Sequence, residues 1–187
     1  MTAFDDGAAL GEQDDREVLS WSLFGDAARA LAQQIVDSGW LPDVVVAVAR
    51  GGLLPAGAVA YALGVKAMGT MNVEFYTGVA QTLTEPVFLP PLMDTHTLVG
   101  KKVLVVDDVA DSGRTLAKVM DAVAELGSPS RPTQARSAVV YVKPSSVIKP
   151  DYCWRHTPRW ITFPWSALPP VSPLVPQEET DAGAQQA

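Results

Sequence analysis

Cysteine is nearly absent from this chain. Among 187 residues there is only Cys153, so no internal disulfide can form, and the usage suits a reducing compartment such as the cytoplasm. Histidine is almost as scarce: His96 and His156 stand alone, without the spacing of a metal-ligand set, and read as ordinary polar positions. No uninterrupted membrane-length apolar run occurs. The richest stretch, from Val44 to Val65, is broken by Arg50, Gly51, Gly52 and Pro55, which makes a poor membrane span. The start of the chain lacks the basic and then apolar segments of a secretory signal, so no such signal is expected. A basic excess is missing too. The formal net charge is −7, but it is concentrated at the ends: residues 1–17 carry −5 and residues 166–187 carry −3, leaving the middle at +1. A near-neutral middle gives no electrostatic argument for nucleic-acid binding.

What is present fits a folded domain, with 48% apolar residues and enough length for a sizeable core. Three segments are expected: an acidic, flexible start at 1–17, a single domain at 18–166, and a Pro-rich and then polar tail at 167–187. Leu23, Ala27, Leu31 and Ile35 recur at helical spacing and predict a helix over Ser22–Ser38, ended by Gly39. Asp43–Ala49 is a continuous apolar run typical of a strand buried on both faces. Gly51-Gly52 then makes a turn, and Pro55 suits the first turn of a helix reaching Leu63. Strands are predicted at Lys66–Val73, Val103–Val106 and Ser137–Val142, and a helix over Gly113–Leu126, with residues 76–100 irregular. Alternating strands and helices predict an α/β fold with a mainly parallel twisted sheet flanked by helices.

In such sheets ligands bind beyond the carboxyl ends of the strands. Arg50-Gly51-Gly52, Asp107-Asp108 and Lys143 each follow a predicted strand, so three strand ends carry polar groups toward one edge. Asp111-Ser112-Gly113-Arg114-Thr115 joins a strand to a helix N-terminus. Free amides there, a glycine that permits close approach, and two hydroxyls suit a phosphate monoester. The alternative is an ordinary capped turn. With Asp107 and Asp108 upstream, a ribose fits between the acids and the loop, because carboxylates accept hydrogen bonds from vicinal hydroxyls.

The thirteen residues Val103–Thr115, VLVVDDVADSGRT, closely resemble the phosphoribosyl pyrophosphate (PRPP) signature of type I phosphoribosyltransferases at every position. The resemblance spans roughly residues 20–165 and implies that family's fold, with a small hood of N- or C-terminal segments over the base site. It implies that Asp107 and Asp108 hold the ribose hydroxyls and that Asp111, Ser112, Gly113, Arg114 and Thr115 wrap the 5-phosphate. Arg50 and Gly51, in VAVARGGLLPAG, resemble the family's pyrophosphate loop, where an arginine and close backbone neutralise the leaving group. Read alone, that stretch is equally a tight turn with a solvated arginine.

Lys143 is either a surface lysine or a donor to a carbonyl oxygen, and Trp160 either packs or stacks on a flat heterocycle. Together with Ile161 they resemble the 6-oxopurine branch, particularly bacterial xanthine–guanine phosphoribosyltransferases. The resemblance implies that Lys143 meets the purine 6-oxygen, Trp160 covers the ring and Ile161 offers backbone contacts. It further implies a Mg2+-dependent enzyme of purine salvage, with Asp107 and Asp108 reaching the metal through water or PRPP hydroxyls. Asp111 is the expected base and Arg50 the group stabilising the leaving charge. The expected partners are PRPP and a purine, with no nucleic acid and no membrane, and the expected assembly is a homo-dimer or tetramer. Ser166 departs from relatives that often carry an acid there. Residues 74–95 hold the place of the family's flexible catalytic loop. A PRPP-sensing protein that does not transfer, or a transferase for another base, stays open.

Overall fold

A computed structural model describes residues 16–74, 77–78, 81–82, 87–88, 94–126 and 133–171. The strands in chain order are β1 (Arg16–Val18), β2 (Val44–Ala49), β3 (Met68–Glu74), β4 (Thr77–Gly78), β5 (Gln81–Thr82), β6 (Val87–Phe88), β7 (Lys102–Ala110), β8 (Gln134–Val142), β9 (Tyr152–His156) and β10 (Trp160–Thr162). The helices are α1 (Trp21–Asp37), α2 (Leu53–Leu63) and α3 (Arg114–Glu125), with a 3-10 turn at Thr95–Leu98. The main sheet has six strands in the order β6-β3-β2-β7-β8-β9. All its pairings are parallel except β3 with β6.

Local chemistry explains the elements. Ser20 caps α1 by accepting from the Leu23 amide at 3.2 Å, and Phe24, Ala27, Ala28, Leu31 and Ile35 make its buried stripe. The valines of β2 and β7 are covered on both faces because helices pack on both sides. Leu104 and Val106 point into the layer shared with α1 and α2, and Val103 and Val105 into the layer shared with α3.

The expected α/β architecture is present, with informative differences in extent. β7 does not stop at Val106 but continues to Ala110, so Asp107 and Asp108 lie within the strand. β8 begins at Gln134, three residues before the expected Ser137. β9 was not expected from the sequence, and the region expected to be irregular contains the β4–β5 ladder and β6. Arg16 and Glu17, assigned by sequence to the flexible start, instead form β1 with Val18. β1 pairs in parallel with β10, matching Arg16 to Trp160 and Glu17 to Ile161. This two-stranded layer is the expected hood. Flexibility of residues 1–15 and of 172–187, and much of the 74–95 loop position, lie outside the described residues. Among the described residues no helix is long and apolar enough to cross a membrane.

Candidate active site

The connection β2 to β3 steps to one side of β2, and β7 returns to the other side. The winding therefore reverses between β2 and β7, which is where an open α/β sheet forms its ligand crevice. The register shows how that crevice opens. β2 pairs with β7 only as far as Ala47 with Val106, whereas β7 and β8 stay paired through Ala110 and Val142. Asp107 and Asp108 are thus held on one side by β8, and the Arg50-Gly51-Gly52 turn fills the space on the other.

That turn requires glycine for steric reasons. A Cβ on Gly51 would fall on the Asp108 carboxylate, and one on Gly52 would strike the carbonyl oxygens of Val106 and Val48. The peptide bond between Ala49 and Arg50 is cis. Arg50, Gly51 and Asp108 line a cleft of about 1040 Å³ together with Trp21, Trp165 and residues 168–171.

The two acids are electrostatically loaded. Burial first, and then the neighbouring Asp108 charge, push the Asp107 carboxyl well above the ordinary carboxylate range. The Asp108 amide relieves part of this by donating to Asp107 Oδ1 at 2.9 Å. Burial also raises Asp108, while bonds from the Val109 amide and the Trp165 side chain favour its charged form. Trp165 is fixed by its neighbours: its ring stacks on Phe163 with centroids 4.9 Å apart and meets Phe24 edge-on at 5.2 Å. The sequence reading had not assigned it a task.

Asp111 and Ser112 bridge β7 to α3. Gly113 adopts φ 73° ahead of Arg114 and offers no side-chain cap; the Arg114 amide reaches Ser112 Oγ only at 3.5 Å. A Cβ at Gly113 would meet Ser146 and Ile148. The same segment supports the loop from below: Ser145 Oγ donates to the Asp111 carbonyl at 3.1 Å, and the Val147 amide to the Ser112 carbonyl at 2.9 Å. These serines were missed by sequence reasoning. Their signal, a Pro-Ser-Ser turn directly after Lys143, is compositional only.

Lys143 closes the arrangement. Its amide donates to the Ala110 carbonyl at 3.0 Å, its Nζ lies 3.5 Å from Asp111 Oδ1, and the same Nζ stands 5.1 Å from the centre of the Trp160 ring. Trp160 is 62% exposed, whereas the Ile161 side chain is buried and leaves its backbone in the β10 ladder. The structure therefore gathers the strand-end and loop residues in one region, with Arg50 and Asp108 on the cleft side and Asp111 and Lys143 beside Trp160 of the hood. Cys153 lies apart on β9; its thiol donates to the Arg155 carbonyl, and burial pushes it up to about 11, which suits a packing role. His156 ends β9, and the His96 amide is capped by Asp94.

Comparison with known proteins agrees with this geometry. Residues 15–169 match the family model of the phosphoribosyl transferase domain. Xanthine-guanine phosphoribosyltransferases of Nitratidesulfovibrio vulgaris and Gluconobacter oxydans are each 30% identical over 164 residues, covering 86% of this chain and 91% and 90% of theirs. The solved purine phosphoribosyltransferase of Pyrococcus horikoshii superposes with a TM-score of 0.70 at 34% identity, covering 85% of this chain and 99% of that one. A winding reversal flanked by a glycine turn, paired acids and an amide-rich loop, matched over nearly the whole described chain, means that this chain belongs to the phosphoribosyltransferase family.

Proposed function

We propose that the enzyme transfers the 5-phosphoribosyl group of PRPP to a 6-oxopurine, releasing pyrophosphate and forming a nucleoside monophosphate, as a step of purine salvage. The observation that carries this reading is Lys143, whose ammonium lies between the Asp111 carboxylate and the Trp160 ring. A cation at the edge of an exposed aromatic face suits a flat base that presents a carbonyl oxygen.

In this reading the Asp111–Thr115 loop binds the 5-phosphate through the amides of Gly113 and of the first turn of α3. Asp107 and Asp108 accept from the ribose 2- and 3-hydroxyls, orienting C1 of the ring between pyrophosphate and base. As the bond from C1 to the pyrophosphate oxygen breaks, Arg50 and the Gly51 backbone meet the charge gathering on the leaving group. A purine ring nitrogen bonds to C1, and its proton passes to Asp111. Trp160 and Ile161 hold the base beneath the hood and exclude water from that face.

The donor set fits magnesium. Among the described residues no cluster of three or more ligating side chains occurs, while two adjacent buried carboxylates lack a countercharge. That pattern suits a hard divalent ion whose other positions are filled by substrate oxygens and water, reached from Asp107 and Asp108. When bound, the ion would neutralise diphosphate charge. The exposed Leu53, Leu54 and Tyr61 on α2 are in keeping with a homo-oligomer.

The deciding experiment measures pyrophosphate release from PRPP and magnesium with guanine, xanthine, hypoxanthine, adenine and uracil. Release with 6-oxopurines supports the reading. Release only with adenine or uracil reassigns the acceptor, and tight PRPP binding without release from any base marks a sensor.

A further inference from the structure

The hood is held by very little backbone. β1 contributes three residues to its ladder with β10, extended by the Leu19 amide donating to the Thr162 carbonyl at 3.0 Å. A ladder of this length is marginal without side-chain support. The support is concentrated at Glu17, which stands opposite Ile161 and next to the pairing of Arg16 with Trp160. Glu17 Oε1 lies 3.5 Å from Arg155 Nη1 on β9, and the Arg155 guanidinium lies 4.0 Å from the centre of the Trp154 ring. Trp154 in turn meets Tyr141 edge-on at 5.5 Å. The Tyr141 hydroxyl is fully buried with no hydrogen-bond partner among the described residues, and burial, then the charge of Glu17, push it upward. One carboxylate thus connects β1 to β9, the strand beside β8, whose last residue Val142 precedes Lys143.

We propose that Glu17 is a positioning residue of the base site: with Arg155 it clamps β1 to β9, and through the β1–β10 ladder it fixes Trp160 and the Ile161 backbone relative to Lys143. The inference rests on the proposed base site, and it assigns a task to a residue outside both the PRPP signature and the base contacts. The clamp bears on the purine side, because Asp107 is held in the β7–β8 ladder and the Arg50 turn follows the end of β2.

The test combines kinetics with amide exchange on the full chain. Glu17→Ala is expected to raise KM for the purine about 10-fold, the size of losing a charge-assisted contact, with KM for PRPP and kcat within about twofold. Glu17→Gln keeps the side-chain length and one oxygen acceptor for the Arg155 guanidinium, and is expected to give about a threefold rise. Arg155→Ala is expected to reproduce the purine effect, and the double variant Glu17→Ala/Arg155→Ala to add little to either. Exchange at the β1 and β10 amides is expected to quicken in Glu17→Ala while β7 and β8 stay protected. Unchanged exchange at β10 overturns the clamp. So does quickened exchange with an unchanged purine KM, or an equal rise in both KM values with a fall in Tm. If the unaltered protein transfers to no purine, the functional reading fails, and the exchange experiment still decides the clamp separately.

Discussion

Lys143 Nζ and Asp111 Oδ1 stand 3.5 Å apart at the mouth of the hood, on side chains that are 13% and 56% exposed. The pair opens to water on the Asp111 side, so its own contribution to stability is small. Its consequence is orientation: the ammonium is held near the Trp160 face with donors left for a ligand oxygen. Lys143→Ala is expected to lower kcat/KM for a 6-oxopurine about 10- to 100-fold, the range for a hydrogen bond from a charged donor, with KM for PRPP within about twofold. Steady-state kinetics with each substrate varied in turn checks this. An equal loss for both substrates would remove the lysine from the base site.

The glycine turn makes a contrast between two alanine substitutions. Gly51→Ala directs a methyl group at the Asp108 carboxylate, so PRPP-dependent pyrophosphate release is expected to fall at least about 100-fold. Gly57, inside α2, has nothing within 4 Å of its would-be Cβ. Gly57→Ala is expected to stabilise the fold by about 0.5–1 kcal/mol, through helix propensity alone, and to leave turnover unchanged. Thermal unfolding and the release assay, run on both variants, separate steric crowding at the site from a general effect of removing glycine.

The site was legible where chemistry is packed into contiguous residues. Val103–Thr115 carries acids, glycine and hydroxyls in one run, and the structure holds them on β7 and the turn into α3. Burial on both faces made β2 readable from its valines alone. What escaped notice depends on partners distant in sequence. β9 is an edge strand with mixed burial, so YCWRH shows no clean alternation. The start of β8 is the polar Gln134-Ala135-Arg136, held by pairing with β7. β1 contains two charged residues and becomes a strand only because β10 lies beside it. Trp165 and Asp108 line one cleft only because the chain returns to β7 after β10, which local spacing does not encode.

Asp107 ties stability to pH. Burial, then the charge of Asp108, raises its carboxyl well above the ordinary 3.8. A group raised on folding contributes stability fully below its unfolded value, and that stability is lost as pH rises through the folded one. At pH above its ordinary value, keeping this carboxyl buried therefore costs stability. Asp107→Asn removes its charge and keeps an oxygen to accept from the Asp108 amide. The variant is expected to melt higher than the parent at pH 7, with the advantage shrinking toward acid and vanishing below about pH 3.8, where both carry a neutral side chain. Its transferase activity is expected to fall sharply, an exchange of function for stability. Melting curves across pH check the sign, and a lower melting temperature at pH 7 would show that the carboxylate is compensated in the folded chain.

Trp165 offers a test that separates packing from electrostatics. Its ring stacks on Phe163 at an interplanar angle of 18°, and its side chain supports the charged form of Asp108. Trp165→Phe keeps an aromatic ring for the stack and removes the indole N–H. With that donor gone, burial of Asp108 is less well opposed, and its carboxyl moves further upward. Any step that needs the ionised carboxylate then requires a higher pH, so the acid limb of kcat/KM for PRPP is expected to shift upward. At neutral pH the loss is expected to be about 10-fold, as for a hydrogen bond to a charged group, while the melting temperature falls only slightly. A proportional loss at every pH would assign Trp165 to packing alone. An upward shift of the acid limb, with the aromatic cluster intact, identifies the indole as one of the groups, beside the Val109 amide and the Asp107 side chain, that favour the charged form of Asp108.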